Sequence, residues 1–127
     1  APAATIAEAM LNLVDCWIDP DLFDSRLEFA MRTWALTDPA VEKAMAEADA
    51  TRMAAITALF RRFGYSETEA DTRARTLYLT QVGYIALRSQ ESLDLRMGRI
   101  PSYVLTFSGV APTEAEIAAF RARHGVR

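Results

Sequence analysis

The sequence has almost no cysteine or histidine. Cys16 and His124 are the only residues of their types among 127 residues. A disulfide within the chain needs two cysteines, and a structural zinc site needs about four Cys or His ligands. We therefore expect no internal disulfide, no metal and no other cofactor. A reducing, cytoplasmic setting is the simpler expectation for a chain with so little cysteine.

Basic charge and long apolar runs are also missing. The formal net charge is -3 and the sequence pI is about 5.1, whereas a nucleic-acid-binding surface is normally basic, because it displaces phosphate counterions. A transmembrane helix needs about 20 consecutive, mostly apolar residues, and the chain has no such run. We expect these residues to bind neither DNA nor a membrane.

The sequence lacks the common catalytic and nucleotide-binding signatures. It contains no G-x-S-x-G, P-loop or G-x-G-x-x-G pattern. Cys16 could act as a nucleophile only beside an activating base, and His124 lies far along the chain. We expect Cys16 to be a small buried apolar residue, His124 to favour a helix C-terminus, and the protein not to be an enzyme.

Helical periodicity and helix-capping residues are what the sequence does have. Thr5 with Glu8 predicts the start of a helix over about residues 5–18. Asp-Pro pairs at 19–20 and 38–39 predict the starts of the second and third helices, and Gly64 predicts the end of the third. The second helix would carry its inward stripe on Phe23, Leu27, Ala30, Met31 and Trp34.

Two further Ser/Thr-x-x-Glu patterns predict the remaining helices. Ser66 with Glu69 begins a long fourth helix reaching about Asp94, and Thr113 with Glu116 begins the last helix. Between them, Met97-Gly98 separates off a short segment, residues 101–108. No strand-like alternation occurs. We predict an all-α fold, an antiparallel bundle of about five to six helices forming a single domain over residues 1–127.

The predicted fourth helix has two uncharged faces. At 100° per residue, one face groups Ala74, Leu77, Tyr78, Gln81, Ile85 and Arg88. The opposite face groups Thr72, Thr76, Leu79, Gly83, Ala86 and Gln90. A surface helix normally has one apolar stripe and a charged back, so we expect a helix of the same chain or of a partner subunit to cover the second face. The predicted dimer-interface residues are Leu79, Val82, Gly83, Ala86, Tyr103 and Phe107.

Arg52 falls on a stripe of the third helix where an apolar residue is expected, between Ala48 and Ile56. A buried arginine needs partners, and an ion pair with Glu28 or Asp24 is the interpretation we favour. The alternative is a cation directed into a pocket for an anionic or polar ligand. Aromatic and methionine residues in the first three helices also suit a pocket between helices. The predicted ligand-binding residues are Met10, Leu13, Trp17, Leu27, Met31, Trp34, Arg52, Ile56, Phe60, Tyr78 and Gln81.

Residues 22–87 carry motifs of a known family. These are R-x-W-A-x-x-D-P-A-V at 32–41, the Arg52 position, and G-Y-S-x-x-E-A at 64–70. The chain resembles the C-terminal regulatory domain of the TetR family of transcriptional regulators. That resemblance implies a helical ligand-binding core and a dimer built by the last long helices as a four-helix bundle. No basic three-helix unit precedes Thr5, so the family's N-terminal helix-turn-helix domain is expected to be absent from this chain.

The function predicted from these features is effector binding and dimerisation in a TetR-type regulator. The expected partners are a second copy of the chain, a small and mostly apolar effector, and DNA only through the missing N-terminal domain. Two alternatives remain open: a purely structural helical dimerisation module without an effector, and a small helical enzyme that uses Cys16.

Overall fold

The chain is all-helical. The computed structural model describes residues 2–19, 21–87 and 91–125, and within these it contains helices and no strand. The helices are α1 (Ile6–Ile18), α2 (Ser25–Ala35), α3 (Pro39–Arg62), α4 (Glu67–Ala86), α5 (Leu93–Ser108) and α6 (Glu114–Arg123). The predicted all-α class is confirmed.

The helices form two compact units. The central unit comprises residues Asp19–Ser89, and the terminal unit combines Ala1–Ile18 with Gln90–Arg127. In the central unit α3 packs against both α2 and α4, and in the terminal unit α1 packs against α5 and α6. The prediction of a single domain over residues 1–127 stays a prediction.

Each unit has its own apolar core. In the central unit the buried apolar side chains are Met45, Ile56, Phe60, Ala70, Ala74, Leu77, Tyr78 and Ile85. In the terminal unit they are Ala3, Ile6, Ala7, Ala9, Met10, Leu11, Met97, Ile100, Val104 and Phe120. No helix among the described residues combines the length and the apolar character that crossing a bilayer requires.

The two ends of α3 are where the sequence placed them. The Asp38 side chain accepts hydrogen bonds from the backbone N–H groups of Ala40 at 3.0 Å and Val41 at 3.3 Å, and Pro39 occupies the first turn. At the other end Gly64 has a φ of 89°. Its N–H donates to the Arg61 carbonyl at 2.9 Å, and the N–H of the next residue donates to the Phe60 carbonyl at 3.3 Å. This paired pattern is a Schellman motif, which satisfies carbonyls left over at the helix end.

The predicted start of the second helix is wrong by several residues. The Asp19 side chain accepts a hydrogen bond from Asp21 N–H at 2.9 Å, and its carbonyl accepts one from Phe23 N–H at 2.9 Å, which closes a turn. The helix begins at Ser25, because Asp24 is the residue whose side chain caps the N–H groups of the first turn. Pro20 lies outside the described residues.

The predicted fourth helix is also too long. It ends at Ala86, and a separate helix α5 begins at Leu93, where the Ser92 side chain accepts a hydrogen bond from Leu95 N–H at 3.2 Å. Because Ser92 caps the start of a new helix shortly after Ala86, two helices are favoured over one continuous helix. Arg88 and Gln90, which were assigned to the two faces of the predicted helix, lie outside the described residues.

Helix α5 runs through the predicted break at Met97-Gly98 and ends at Gly109, whose φ is 76°. Gly and Pro inside a helix cost about 1 and about 3 kcal/mol relative to Ala, and both Gly98 and Pro101 lie within α5. Burial of Met97, Ile100 and Val104 offsets that cost, because these side chains recur at helical spacing on one side of α5, which packs on α1.

Candidate functional site

A cluster of charged side chains and one tyrosine joins the three helices of the central unit. Glu28 and Arg32 come from α2, Asp49 and Arg52 from α3, and Tyr78 from α4. Residues three or four apart share one side of a helix. Each of α2 and α3 therefore presents a carboxylate and a guanidinium side by side. We call these residues the charged cluster.

The Arg32–Asp49 pair is bidentate. Arg32 Nη1 donates to Asp49 Oδ2 at 3.1 Å, and Nη2 donates to Oδ1 at 2.6 Å. The same Nη2 lies 3.0 Å from Glu28 Oε1, one turn back on α2. Two parallel N–H···O bonds fix direction as well as distance, so this pair sets how α2 lies on α3.

Arg52 makes the ion pair that the sequence favoured. Its Nη1 lies 2.9 Å from Glu28 Oε1 and 3.3 Å from Tyr78 Oη. Asp24, the other partner considered, caps α2 instead. The Arg52 side chain is 44% exposed, so it lies at the edge of the cluster, whereas Arg32 at 21% is more enclosed.

Tyr78 closes the cluster from α4. Its hydroxyl donates to Asp49 Oδ1 at 2.5 Å and accepts from Arg52 Nη1 at 3.3 Å and Arg32 Nη2 at 3.4 Å. The tyrosine ring is buried. One hydroxyl therefore serves as donor and acceptor together, which a tyrosine can do and a phenylalanine cannot.

The cluster is electrically balanced, because two guanidinium groups face two carboxylates. Burial raises the pKa of Asp49, but hydrogen bonds from Arg32 and Tyr78 outweigh that effect and hold the pKa below its usual 3.8. The hydrogen bond to Asp49 raises the pKa of Arg32, and desolvation raises the pKa of Tyr78. With two guanidinium groups and two carboxylates, the cluster has no formal net charge and offers no net positive charge to an anionic ligand.

One donor of the cluster is unused. Arg32 Nε is buried and has no hydrogen-bond partner among the described residues. Leaving a buried donor unpaired is costly, about 1–3 kcal/mol for a typical group. The cluster is therefore well connected without being fully satisfied.

Helix α2 does not have the orientation that the sequence predicted, because its charged side faces inward. Glu28 is the buried residue of this helix, while Leu27 is 58% and Trp34 57% exposed. The sequence predicted an inward stripe containing Leu27 and Trp34, and the structure directs these two side chains outward. The physical reason is that Arg52 and Asp49 on α3 must be paired when partly buried, and only the Glu28–Arg32 side of α2 supplies the partners.

The remaining predicted ligand-binding residues are divided between the two units. Met10 is buried and Leu13 and Trp17 are half-buried on α1 of the terminal unit. In the central unit Ile56 and Phe60 are buried and Met31 and Gln81 half-buried. Two residues of the predicted set, Arg52 and Tyr78, belong to the charged cluster, and a hydrogen bond joins them.

The predicted dimer residues on α4 lie on a face that no helix of the central unit covers. Thr72, Thr76, Leu79 and Ala86 are exposed and Gly83 is half-buried, and we call these residues the outer face of α4. Val82 is half-buried beside it. The other predicted interface residues, Tyr103 and Phe107, stack with ring centroids 5.4 Å apart on α5 of the terminal unit.

The outer face of α4 is polar in composition but has few unsatisfied polar groups. Thr72 Oγ1 donates to the Thr68 carbonyl and Thr76 Oγ1 to the Thr72 carbonyl, each at 2.8 Å. The hydroxyls are thus bonded within the helix, and the face can lose its water without leaving them unpaired. A Cβ added at Gly83 would meet nothing within 4 Å.

Two residues of the terminal unit test the chemical alternatives. Cys16 is exposed, so the expectation of a buried cysteine is wrong. His124 follows α6 as its C-cap, and its Nε2 lies 2.6 Å from Asp15 Oδ1, while Arg123 Nη2 lies 2.9 Å from Oδ2 of the same carboxylate. These contacts join α1 to α6. No group of three potential metal ligands was found among the described residues.

Sequence reasoning missed two members of the charged cluster, Arg32 and Asp49. The Glu28–Arg32 spacing of four residues is a recognisable helical ion pair and could have indicated Arg32. Asp49 lies one turn before Arg52 on α3, and this spacing could likewise have indicated that Asp49 is close to the charged groups. Neither spacing says which side of α2 faces α3.

No family model, curated protein or solved structure matches this chain. The resemblance to the TetR family therefore rests on the motifs at 32–41 and 64–70 and on the Arg52 position.

Proposed function

We propose that this chain is the self-associating, effector-responsive part of a TetR-type transcriptional regulator, and that a second copy covers the outer face of α4. The observation that carries the proposal is the state of that face. Leu79 is 59% exposed, the threonine hydroxyls beside it are bonded within the helix, and no charged residue occurs from Thr76 to Leu87.

A second copy is an energetically suitable cover. Burying a whole leucine side chain stabilises by about 1.5–3 kcal/mol, and an isologous contact buries the same residues twice. Gly83 lets a facing helix approach closely, since it places no side chain there. The ion pairs of α4 lie toward its N-terminal end, and they join Arg73 to Glu69, Arg75 to Asp71, and Glu67 to Arg61 of α3. They leave the C-terminal half for packing.

Effector binding has separate support in the charged cluster. The buried Arg32 Nε lacks a partner, and Arg52 keeps 44% of its side chain exposed. Because the cluster is neutral, the ligand it suits is a small and mostly apolar molecule with a hydrogen-bond acceptor, not a strong anion. DNA would be bound through a separate helix-turn-helix domain, and a cytoplasmic location goes with that function. Tyr103 and Phe107 stay predicted interface residues.

The same outer face also fits a structural dimerisation module without an effector. The two proposals separate in one experiment, a thermal-shift screen of apolar metabolites against the dimer. A ligand that binds only the folded state raises the melting temperature. Stabilisation that is lost in Arg52→Met, with dimer mass unchanged, supports effector sensing at the cluster. A dimer that no compound stabilises supports the structural module.

Self-association itself is tested by sedimentation of the wild-type chain across a range of concentrations. The proposal expects a species of twice the 14.1 kDa chain mass. A monomer at every concentration would contradict it.

A further inference from the structure

Helix α2 is attached to the central unit in an unusual way. Glu28 is its buried residue, and its large apolar side chains Leu27 and Trp34 are both more than half exposed. Most amphipathic helices are held by their apolar stripe. Here Leu27 and Trp34 of that stripe face away, Phe29 and Met31 are half-buried, and the inward side carries charge.

The charged cluster supplies the side-chain bonds that hold α2. Arg32 makes two bonds to Asp49 on α3, Glu28 accepts from Arg52 on α3, and Arg32 reaches Tyr78 on α4. Removing either carboxylate charge leaves a partly buried guanidinium with fewer partners, and an unpaired buried charge is strongly unfavourable. The attachment therefore depends strongly on a few charges, because α2 has no fully buried apolar side chain.

Helix α2 also depends on this attachment for its helical state. It has 11 residues, and isolated helices shorter than about 12–15 residues are marginal in water. In contrast, α3 and α4 pack on each other, and both contribute buried apolar side chains, among them Ile56 and Phe60 of α3 and Ala74 and Leu77 of α4. That pair keeps an apolar core in which α2 supplies no fully buried apolar side chain.

We propose that α2 is a charge-held latch of the central unit. When the cluster loses the charge of one carboxylate, α2 leaves as a unit while α3 and α4 stay packed. Release uncovers the Asp49–Arg52–Tyr78 side of the α3–α4 pair. The latch lets α2 open locally at a lower free-energy cost than global unfolding. This proposal is independent of self-association.

Hydrogen exchange with peptide resolution tests the latch on the full chain. The variants are Asp49→Asn and Glu28→Gln, and the control is Glu47→Gln at an exposed position of α3. We expect protection of α2 amides to fall at least about tenfold in both variants, which corresponds to about 1.4 kcal/mol, with α4 protection near wild type. The control should match the wild type throughout.

Two results would overturn the latch. One is a loss of protection shared equally by α2, α3 and α4, which would make the cluster a contributor to global stability only. The other is unchanged α2 protection. If a variant does not fold, urea titration of Trp17→Phe gives a second measurement, with Trp34 fluorescence reporting on α2 and circular dichroism on total helicity. Local opening costs less free energy than global unfolding, so the Trp34 signal should change at lower urea than the helicity, and a single shared transition would contradict the proposal.

Discussion

The Tyr78 hydroxyl donates a hydrogen bond to Asp49 Oδ1 at 2.5 Å, across the contact between α4 and α3. The tyrosine ring is part of the apolar core, and its hydroxyl lies where the core meets the charged cluster. This contact fixes one carboxylate oxygen that Arg32 also uses. The position of α2 on the central unit therefore depends on a residue of α4.

Replacing Tyr78 by Phe keeps the ring and removes the bridging hydroxyl. We expect the free energy of unfolding to fall by about 1–2 kcal/mol, because Asp49 loses one of its donors. Chemical denaturation measures the change. In a double-mutant cycle with Asp49→Asn, the two changes should be non-additive by more than about 0.5 kcal/mol. Simple additivity would mean that the hydroxyl does not act through Asp49.

The two arginines of the cluster should differ in importance. Arg32→Met removes a bidentate partner of Asp49 that is 21% exposed, whereas Arg52→Met removes a side chain that is 44% exposed. Because exposure lets water replace a lost partner, we expect Arg32→Met to cost about 2–3 kcal/mol and Arg52→Met about 1 kcal/mol. Urea denaturation of both variants gives the order. The reverse order would show that the Glu28–Arg52 pair is the main contact.

Acid should weaken the chain partly through Asp49. The pKa of Asp49 is held below its usual 3.8 in the folded state, so its contribution to stability is present above that usual value. The contribution is lost as pH falls through the lower, folded-state pKa. From about pH 5 to about pH 2 the wild type should lose stability more steeply than Asp49→Asn. Equal slopes in thermal melts would contradict this role.

Pro101 offers a test of α5 as one continuous helix. The proline lies inside α5, where it cannot donate a hydrogen bond to the Met97 carbonyl one turn earlier. Pro101→Ala restores that donor. We expect a higher melting temperature and a gain of about 1–2 kcal/mol, less than the full proline penalty because alanine also frees the unfolded chain. A lower melting temperature would mean that the helix needs a bend at this residue.

Capping chemistry made some elements predictable from the sequence. Asp38-Pro39 and Gly64 bound α3 correctly, because a cap and a left-handed glycine act within a few residues of chain. The orientation of α2 was not predictable in this way. Its sequence carries an apolar stripe through Leu27 and Trp34 and a charged stripe through Glu28 and Arg32. The charged partners on α3 determine which of the two stripes faces inward.

The candidate site shows the same limit. Arg52 can be identified from the sequence because a cation interrupts an apolar stripe, and an ion pair with Glu28 or Asp24 is expected from the need to satisfy a buried charge. The structure selects Glu28. Asp49 and Tyr78 meet because α3 and α4 pack at one particular angle, which no local pattern contains. The uncharged outer face of α4 was predictable from the sequence. What covers this face depends on a contact with another chain, which the sequence pattern of α4 does not specify.

Self-association through α4 is tested most directly by sedimentation velocity of Gly83→Arg beside Ala58→Arg. Apart from the backbone of its own helix and its chain neighbours, a Cβ added at Gly83 meets nothing within 4 Å, so we expect the substitution to act on a partner and to leave the fold intact. Ala58 is exposed on α3 and carries the same added charge as a control. The account predicts a 14.1 kDa monomer for Gly83→Arg and a dimer for both the wild type and Ala58→Arg. A Gly83→Arg chain that stays dimeric would contradict it.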